Sequence, residues 1–557
     1  MTQPSASSGN PIGPVLLEIL HSALTSVAEE MSVAVRRTSR STTVREMLDY
    51  STAIFDAEGR NVAQATSSPM ALTLAPCLEQ VLAEHLPPHS WREGDVVILN
   101  DPYCGSQHLP DIVTFQPVFF AGKRIAFTGA MAHHVDVGGS SPGSYNMTAR
   151  EIFAEGLQIP PLRIKRGGVL AADLLALILR NVRQPEILRG DLMAQIASLD
   201  IGARGIHRLA AKYGSEIVTA AASQMLAQSE AAMRRSVAAL SPGRYSFEDF
   251  LDDDGIGDRP VRVAVDCEIG RAEISFDFSR SDPQVPVPIN CTRNVLVSAV
   301  HYAVVAVFGE GIAVNSGCFM PVRVLAEEGL VVNARSPAPV VNRMTIAHRI
   351  VNVVMGALAQ ALPDRIPAAY YGVSYVCMLE STLADGSKRI YFDSEVGGWG
   401  AEPYRDGANA FSCGLHNIAS VPVEMLESAH PLLFKSYALR ADSAGAGRQR
   451  GGLGLIREWQ LTAPEGRLTV TLDRFTRRPY GLQGGEPGAA GRLLLTQADG
   501  VQRPLRSKFS DLVLNCGDTI RMETSGGGGY GPPEERQPAA ISADITGGYV
   551  SGRTDTP

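Results

Sequence analysis

Apolar residues recur every three or four positions across residues 14–36, and this spacing predicts a helix with one buried face. Two β-hairpins are predicted after it. The first pairs residues 50–55 with 60–65 around a turn of Asp, Ala, Glu and Gly, and the second pairs 112–120 with 124–131. The amino-terminal part of the chain is therefore expected to combine helices with antiparallel strands.

The remainder of the chain divides by the same pattern. A stretch rich in Ala, Leu and Arg has helical periodicity, and a longer stretch after it alternates apolar and polar positions like short strands. Because strands and helices do not alternate regularly, we predict an α+β fold rather than a doubly wound sheet. The predicted parts are a disordered tail (1–13), an α/β region with the metal motif described below (14–169), a helical segment (170–242), a β-rich mixed domain with helices at 293–308 and 343–362 (243–533), and a polar tail (534–557).

The composition indicates a globular protein and excludes several functions. Of 557 residues, 45% are hydrophobic and 19% are charged, and no apolar run approaches the ~20 residues that a membrane span needs. The net charge of −8 offers phosphate backbones no general attraction, so nucleic acid is not an expected partner. The eight cysteines are dispersed, as is typical of reduced thiols, and no export signal is evident. We therefore predict a cytoplasmic enzyme.

The densest group of metal-binding residue types surrounds the second predicted hairpin. His108 and Asp111 precede its first strand, and His133, His134 and Asp136 follow its second strand. If the hairpin turns midway between its strands, facing residues have numbers that sum to about 244. Asp111 then faces His133, and His108 faces Asp136. The two groups are therefore expected to meet in space.

Two imidazoles and one carboxylate form a site that accepts Mn²⁺, Fe²⁺ or Zn²⁺ and leaves positions open for water or substrate. Such a site is catalytic rather than structural. A shift of one residue in the turn exchanges the two faces of a strand, so the pattern does not decide between His133 and His134 as the ligand. The alternative interpretation is that these histidines only bind neighbouring loops at a strand end.

Three other motifs fail a closer test. Residues 139–143 match the Gly-x-Ser-x-Gly nucleophile elbow, but Pro142 follows the serine and has no N–H for an oxyanion. This segment is either a plain connection or a tight loop beside the metal that offers N–H groups to an anionic substrate. Residues 252–255 lack the ligand spacing of a calcium loop. The glycines at 526–531 lack a Walker motif and predict tight backbone packing.

Two arginine-containing stretches, 448–450 and 474–478, have the charge to hold carboxylates. For such runs a solvated surface is the default interpretation. Cys104, four residues before His108, is interpreted as a small buried residue rather than as a ligand or nucleophile.

Taken together, the motifs resemble those of the hydantoinase B/oxoprolinase family over nearly the whole chain. The resemblance is carried by Asn100–Tyr103 with His108–Asp111, Ala132–Gly139, Pro142–Ser144, Glu155–Pro161, Leu251–Gly255, Ile289–Cys291, Ala357–Pro363, Asp442–Gly454 and Gly526–Pro533. Three places depart from the family pattern. Residues 45–50 lack the usual Glu-Arg-Arg before Asp, Gln107 replaces a small residue or Thr, and 344–348 replace a common Glu-Thr-Ser-Gln stretch. These departures bear on the substrate more than on the metal.

The resemblance implies one component of an ATP-dependent hetero-oligomer. Members of the family open cyclic amides such as hydantoins, oxoproline and lactams, or carboxylate ketones. Their ATP is held by a separate hydantoinase A-type subunit, which agrees with the missing phosphate loop in this sequence. The partners implied for this chain are therefore a hydantoinase A-type subunit and a small cyclic amide.

The family's metal motif maps onto this chain at His108, Asp111 and His133, with Asp49 as a further candidate. In the first hypothesis the partner phosphorylates the amide oxygen and this chain delivers water, activated by a divalent Mn, Zn or Fe ion. His134 and Asp136 would orient a ligand or act in proton transfer. Two alternatives stay open: a component of a ketone carboxylase, or a non-catalytic scaffold that completes the site of its ATP-binding partner.

Overall fold

A computed structural model describes residues 12–65, 72–412, 415 and 418–551 of the chain. Residues 1–11 of the predicted disordered tail lie outside the described part. The described helices are α1 (Pro14–Thr38), α2 (Thr42–Arg45), α3 (Leu74–Gln80), α4 (Ala172–Arg180), α5 (Pro185–Tyr213), α6 (Ser215–Ala238), α7 (Arg293–Phe308), α8 (Arg343–Ala361), α9 (Val423–Ala429) and α10 (Pro538–Thr546). The predicted helices at 14–36, 293–308 and 343–362 are confirmed. None of the helices described is long and apolar enough to span a membrane.

The first sheet carries the second predicted hairpin at its centre. Its strands are β1 (Tyr50–Asp56), β2 (Asn61–Gln64), β3 (Val96–Leu99), β4 (Asp111–Phe120), β5 (Lys123–His133), β6 (Leu162–Arg166) and β7 (Val169–Leu170), in the order β2-β1-β5-β4-β3-β6-β7. Both predicted hairpins are confirmed, as β1 with β2 and β4 with β5. Helices α1 and α5 cover one face of the sheet, and α3 covers the other. The apolar stripe of α1 thus buries residues such as Leu20 and Met31 against this sheet.

The rest of the chain adds three smaller sheets. Their strands are β8 (Gly243–Leu251), β9 (Val261–Ile269), β10 (Ile274–Asp277), β11 (Val322–Leu325), β12 (Tyr375–Thr382), β13 (Lys388–Glu395), β14 (Leu432–Leu439), β15 (Leu455–Leu461), β16 (Glu465–Thr471), β17 (Arg492–Thr496), β18 (Gln502–Leu505), β19 (Lys508–Asn515) and β20 (Thr519–Glu523). They form the orders β11-β10-β9-β8, β13-β12-β16-β19 and β14-β15-β20-β17-β18. The α+β class is therefore confirmed.

Two large hydrophobic cores follow the chain order. One joins the first sheet to α1 and to α4–α6, so the predicted helical segment at 170–242 packs onto this sheet. The other surrounds α7 and α8 and extends into the three smaller sheets. Helix α8 is buried on nearly all sides, which suits its largely apolar sequence, and its first residue lies beside the first sheet.

The glycines at 526–531 form an extended segment packed against other backbone segments. The N–H of Gly527 donates to Gly452 O at 2.9 Å, and the N–H of Gly528 donates to Ala369 O at 2.8 Å. A Cβ on Gly527 would overlap the carbonyl oxygen of Trp399. The prediction of tight backbone packing is confirmed, because only glycine allows neighbouring backbones this close.

Two expectations for the carboxyl-terminal part were wrong. Part of the polar tail at 534–557 forms α10, and its buried Asp544 pairs with Arg450 at 3.1 Å and with Arg536 at 2.7 Å. Arg450 is therefore not a solvated surface residue, and neither is Arg474, which is buried against Asp249 at 2.8 Å. The carboxylate partners of both arginines lie far away in the sequence, so the charge pattern alone could not reveal them.

Candidate metal centre

Strands β1, β5 and β4 end side by side at one edge of the first sheet. The ladder between β4 and β5 pairs Asp111 with His133, as predicted. The rule that facing numbers sum to 244 holds from that pair to Val118, where a bulge shifts the register near the turn. On the other side of β5, the N–H of His133 donates to Asp49 O at 3.0 Å. His133 therefore lies between two acidic residues on neighbouring strand ends.

His108 reaches the same place by a different route from the one predicted. The expected pair of His108 with Asp136 is wrong, because the ladder stops at Asp111 and His133. Instead, a tight turn brings the N–H of Asp111 to His108 O at 3.0 Å. This turn folds the imidazole of His108 back over the strand end, so both histidines approach one carboxylate.

The three donor atoms form a compact triangle. His108 Nε2 lies 2.9 Å from Asp111 Oδ1 and 3.2 Å from His133 Nδ1, and the latter two atoms are 3.1 Å apart. Ligand atoms that bind one ion at right angles, each at ~2.1 Å, lie about 3 Å from one another. The spacing and the chemistry of the donors thus fit a divalent metal held on one face, with its other positions open.

Asp49 stands next to this triangle rather than within it. Its Oδ2 lies 4.0 Å from His133 Nδ1, and burial raises the pKa of the Asp49 carboxyl to about 6. A small movement of this side chain would be enough to add a fourth ligand, so the geometry keeps Asp49 as a candidate.

The second half of the chain orients the triangle from behind. The carbonyl oxygen of Val341 lies 2.9 Å from His108 Nδ1, and Nη2 of Arg343 donates to Asp111 Oδ2 at 2.6 Å. When Nδ1 of His108 carries the proton and donates it to Val341, Nε2 is free to bind a metal. Nη1 of Arg343 also lies 3.2 Å from His108 Nδ1, but that nitrogen cannot donate to Val341 and accept from Arg343 together. We favour the bond to Val341 because it is shorter.

Burial and charge keep two of the three donors in the forms that bind cations. Burial, reinforced by Arg343, lowers the pKa of His108 to about 3, so its ring is neutral at physiological pH. Burial also opposes ionisation of Asp111, but His108 and Arg343 outweigh it and hold the pKa of Asp111 well below its usual value. A neutral imidazole beside a carboxylate is the ligand state that divalent metals require.

His134 does not face the triangle. Successive side chains on a strand point to opposite faces, and the ring of His134 turns towards α5, where its Nε2 lies 2.9 Å from Gln195 Oε1. The choice that the sequence left open therefore falls on His133 as the residue within the cluster. Burial lowers the pKa of His134, which keeps this ring neutral beside the amide.

Asp136 holds a loop instead of a reacting group. Its carboxylate accepts the N–H of Gly138 and of Gly143, each at 3.0 Å, and pairs with the Arg183 guanidinium at 2.9 Å. The role in ligand orientation or proton transfer predicted for Asp136 has no support in this geometry. These two glycine N–H groups are already bound, so they cannot serve an anionic substrate, and the loop is a connection anchored by Asp136.

Sequence reasoning missed Arg343, Val341 and the aromatic ring of Phe392, which stacks on His133 with centroids 5.1 Å apart. Arg343 adjoins the stretch at 344–348 that departs from the family pattern. That departure was the only signal available, because nothing in the local sequence links these residues to the hairpin.

A sheet whose edge gathers a three-donor cluster, backed by a helix from a second core, defines a metal-site protein with an enzyme-like centre. The family model described as hydantoinase B/oxoprolinase matches residues 13–533. The chain therefore belongs to the hydantoinase B/oxoprolinase family.

Known proteins of similar sequence and structure agree with this assignment. A Pseudomonas sp. (strain NS671) protein, named as the putative B subunit of a D-/L-hydantoinase, is 30% identical over 559 residues, which cover 97% of this chain and 93% of that protein. The crystal structure of ATP-dependent caprolactamase from Pseudomonas jessenii matches with a TM-score of 0.89 and 29% identity, over 97% of this chain and 95% of that chain. A nucleotide-free structure of acetone carboxylase also has a TM-score of 0.89, over 97% of this chain and 78% of that one, but at 19% identity it shares the fold alone.

Proposed function

We propose that this chain is the metal-containing B component of an ATP-dependent enzyme that opens cyclic amides. The observation that carries the proposal is the triangle of His108, Asp111 and His133, which fits a divalent ion with open positions. Hydantoins and caprolactam, named in two of the relatives, are cyclic amides. A substrate of the same class suits a site whose task is to bring water to a carbonyl carbon.

His108, Asp111 and His133 would hold Mn²⁺, Zn²⁺ or Fe²⁺, with Asp49 as a fourth ligand. Such an ion supplies a Lewis acid that makes water a competent nucleophile near neutral pH. The chain's own residues set the geometry: Val341 fixes the tautomer of His108, and Arg343 turns one oxygen of Asp111 away from the triangle. Buried walls around these side chains limit access of bulk water to the site.

The partner in this proposal is a hydantoinase A-type subunit that holds ATP. The Pseudomonas relative is named as one of several different subunits, which supports a hetero-oligomer, and the sequence of this chain contains no Walker motif. The A-type partner would phosphorylate the amide oxygen. This chain would then receive the activated substrate and deliver water to it.

The test is to co-produce this chain with a hydantoinase A-type partner and to measure ring opening of hydantoins, oxoproline and lactams with and without ATP. Replacing His108 by Ala should abolish both the bound metal and the ATP-coupled hydrolysis. His207→Ala is the matched control, because the His207 ring binds Phe119 O at 2.7 Å on another part of the sheet.

Each result of this test has a defined meaning. Full hydrolysis by the His108→Ala complex would overturn the metal assignment. ATP turnover that depends on bicarbonate and a ketone would favour the carboxylase alternative. A wild-type chain that retains no stoichiometric metal would favour the scaffold alternative, because a scaffold needs no ion.

A further inference from the structure

A cavity of about 380 Å³ lies between α7, α8 and two loops of the carboxyl-terminal half. Helix α7 contributes Tyr302 and Val307 to its wall, and α8 contributes Met355. Arg343 at the metal cluster and Met355 are twelve residues apart on α8, about 18 Å at the rise of an α-helix. The cavity is therefore separate from the metal centre.

Aromatic rings form the best-ordered wall of this cavity. Tyr370 and Trp399 stack with centroids 5.1 Å apart and an angle of 25° between the rings. The phenol of Tyr370 is oriented by His348 Nδ1 at 2.9 Å, and the backbone of Trp399 is fixed against the glycine segment through Gly452. Tyr404, which is 70% exposed, stands at the opening. These rings are held in place before any ligand arrives.

The charges around the opening favour a cation. Among the described residues, no ion pair forms with Glu310 or Asp364, although both line the cavity, whereas Glu402 is neutralised by Arg405 at 2.5 Å. The remaining cation, Arg365, donates to the carbonyl oxygen of Val307 at 3.0 Å and so caps the end of α7. The carbonyl end of a helix is itself negative, which adds to the preference for positive charge.

From this combination we infer that the cavity is a binding site for a small organic cation with an alkylammonium or quaternary ammonium group. Aromatic faces attract such cations through their quadrupole, and the two rim carboxylates, Glu310 and Asp364, add a long-range attraction. The apolar side chains of Val307 and Met355 would contact the alkyl part of the ligand.

The fluorescence of Trp399 provides a direct readout. The chain has three tryptophans, and Trp91 and Trp459 are buried, at 3% and 1% exposure. Tetramethylammonium chloride and butylammonium chloride, titrated into the full-length protein, should change the emission in a saturable way. Sodium chloride and butanol, which test for ionic strength and for apolar binding, should not. Calorimetry with the same probes separates absence of binding from a silent fluorophore.

Variants identify the site. The double change Glu310→Gln and Asp364→Asn should weaken binding about fivefold, since both carboxylates are exposed and contribute modestly. Glu327→Gln, at an exposed acid elsewhere, should leave binding unchanged. Trp399→Phe should remove the optical signal and keep the heat of binding. If neither method detects saturable binding, if butanol binds as well as butylammonium, or if the double variant binds like the wild type, the inference is overturned.

Discussion

Arg343 and Asp111 are separated by 232 positions in the chain, yet the Arg343 guanidinium donates to Asp111 Oδ2 at 2.6 Å in a fully buried setting. The contact joins the first residue of α8 to the first residue of β4. It orients the carboxylate so that its other oxygen, Oδ1, faces His108 and His133. One ion pair thus ties the second hydrophobic core to the candidate metal centre.

Replacing Arg343 by Met should destabilise the metal-free protein by about 3 kcal/mol, because the charge of Asp111 would remain buried without its cation. Added Mn²⁺ or Zn²⁺ should then restore more stability to the variant than it adds to the wild type. Denaturant unfolding with a chelator and with each ion measures both effects.

The control for this change is Arg208→Met, which removes an exposed pair with Glu30. Its effect should stay within about 0.5 kcal/mol, with no dependence on the metal. An Arg343→Met protein as stable as the wild type in the chelator would show that the ion pair does not hold the two parts together.

Replacing Asp136 by Asn should lower stability by about 2 kcal/mol while metal binding stays stoichiometric. The carboxylate is buried and holds Arg183 and two glycine N–H groups, but it does not contact the donor triangle. Elemental analysis together with denaturant unfolding checks both parts of the prediction. Loss of the metal from a protein of unchanged stability would instead return Asp136 to the catalytic group.

Matched variants show whether the effect belongs to the ion pair. Arg183→Met and the double variant with Asp136→Asn complete a double-mutant cycle. A coupling close to zero would mean that Asp136 acts through the loop N–H groups rather than through Arg183.

The part of the candidate site that lies on the hairpin could be predicted from the sequence because its geometry is local. A turn of known length fixes which residues of β4 and β5 face each other, so Asp111 and His133 were paired correctly. The same rule failed for His108, since it assumes that the ladder continues past the last paired residues. A tight turn there follows its own geometry.

Contacts from distant parts of the chain could not be predicted in this way. The positions of Arg343 and Val341 depend on how α8 packs against the first sheet, and local periodicity does not contain that information. Arg450 and Arg474 show the same limit, because their carboxylate partners come from remote segments. The class of each element was predictable from its pattern, whereas the pairing of buried charges required the fold.

Replacing Gly527 by Ala should prevent folding or cost more than about 4 kcal/mol, because the added Cβ would overlap the Trp399 carbonyl in a layer made entirely of backbone. The matched control is Gly257→Ala, where the new Cβ meets nothing closer than 4.0 Å and should change stability little. Soluble yield and thermal unfolding give the comparison. A well-folded Gly527→Ala protein would contradict the backbone packing described for this segment.

Glu155 should make the protein less stable as the pH rises from about 5 to 8. Its carboxyl is fully buried, its Oε1 accepts the N–H of Val341 at 2.9 Å, and burial raises its pKa from 4.5 to about 8. Between those values the folded state keeps a proton that the unfolded chain releases, so raising the pH favours unfolding. The contribution is complete below pH 4.5 and is lost as the pH approaches 8, at no more than ~1.4 kcal/mol per pH unit. Glu155→Gln keeps the acceptor for Val341 but has no proton to lose. The difference in unfolding free energy between wild type and variant should therefore decline steadily across this range, and parallel pH profiles for the two proteins would show that Glu155 is ionised in the folded state.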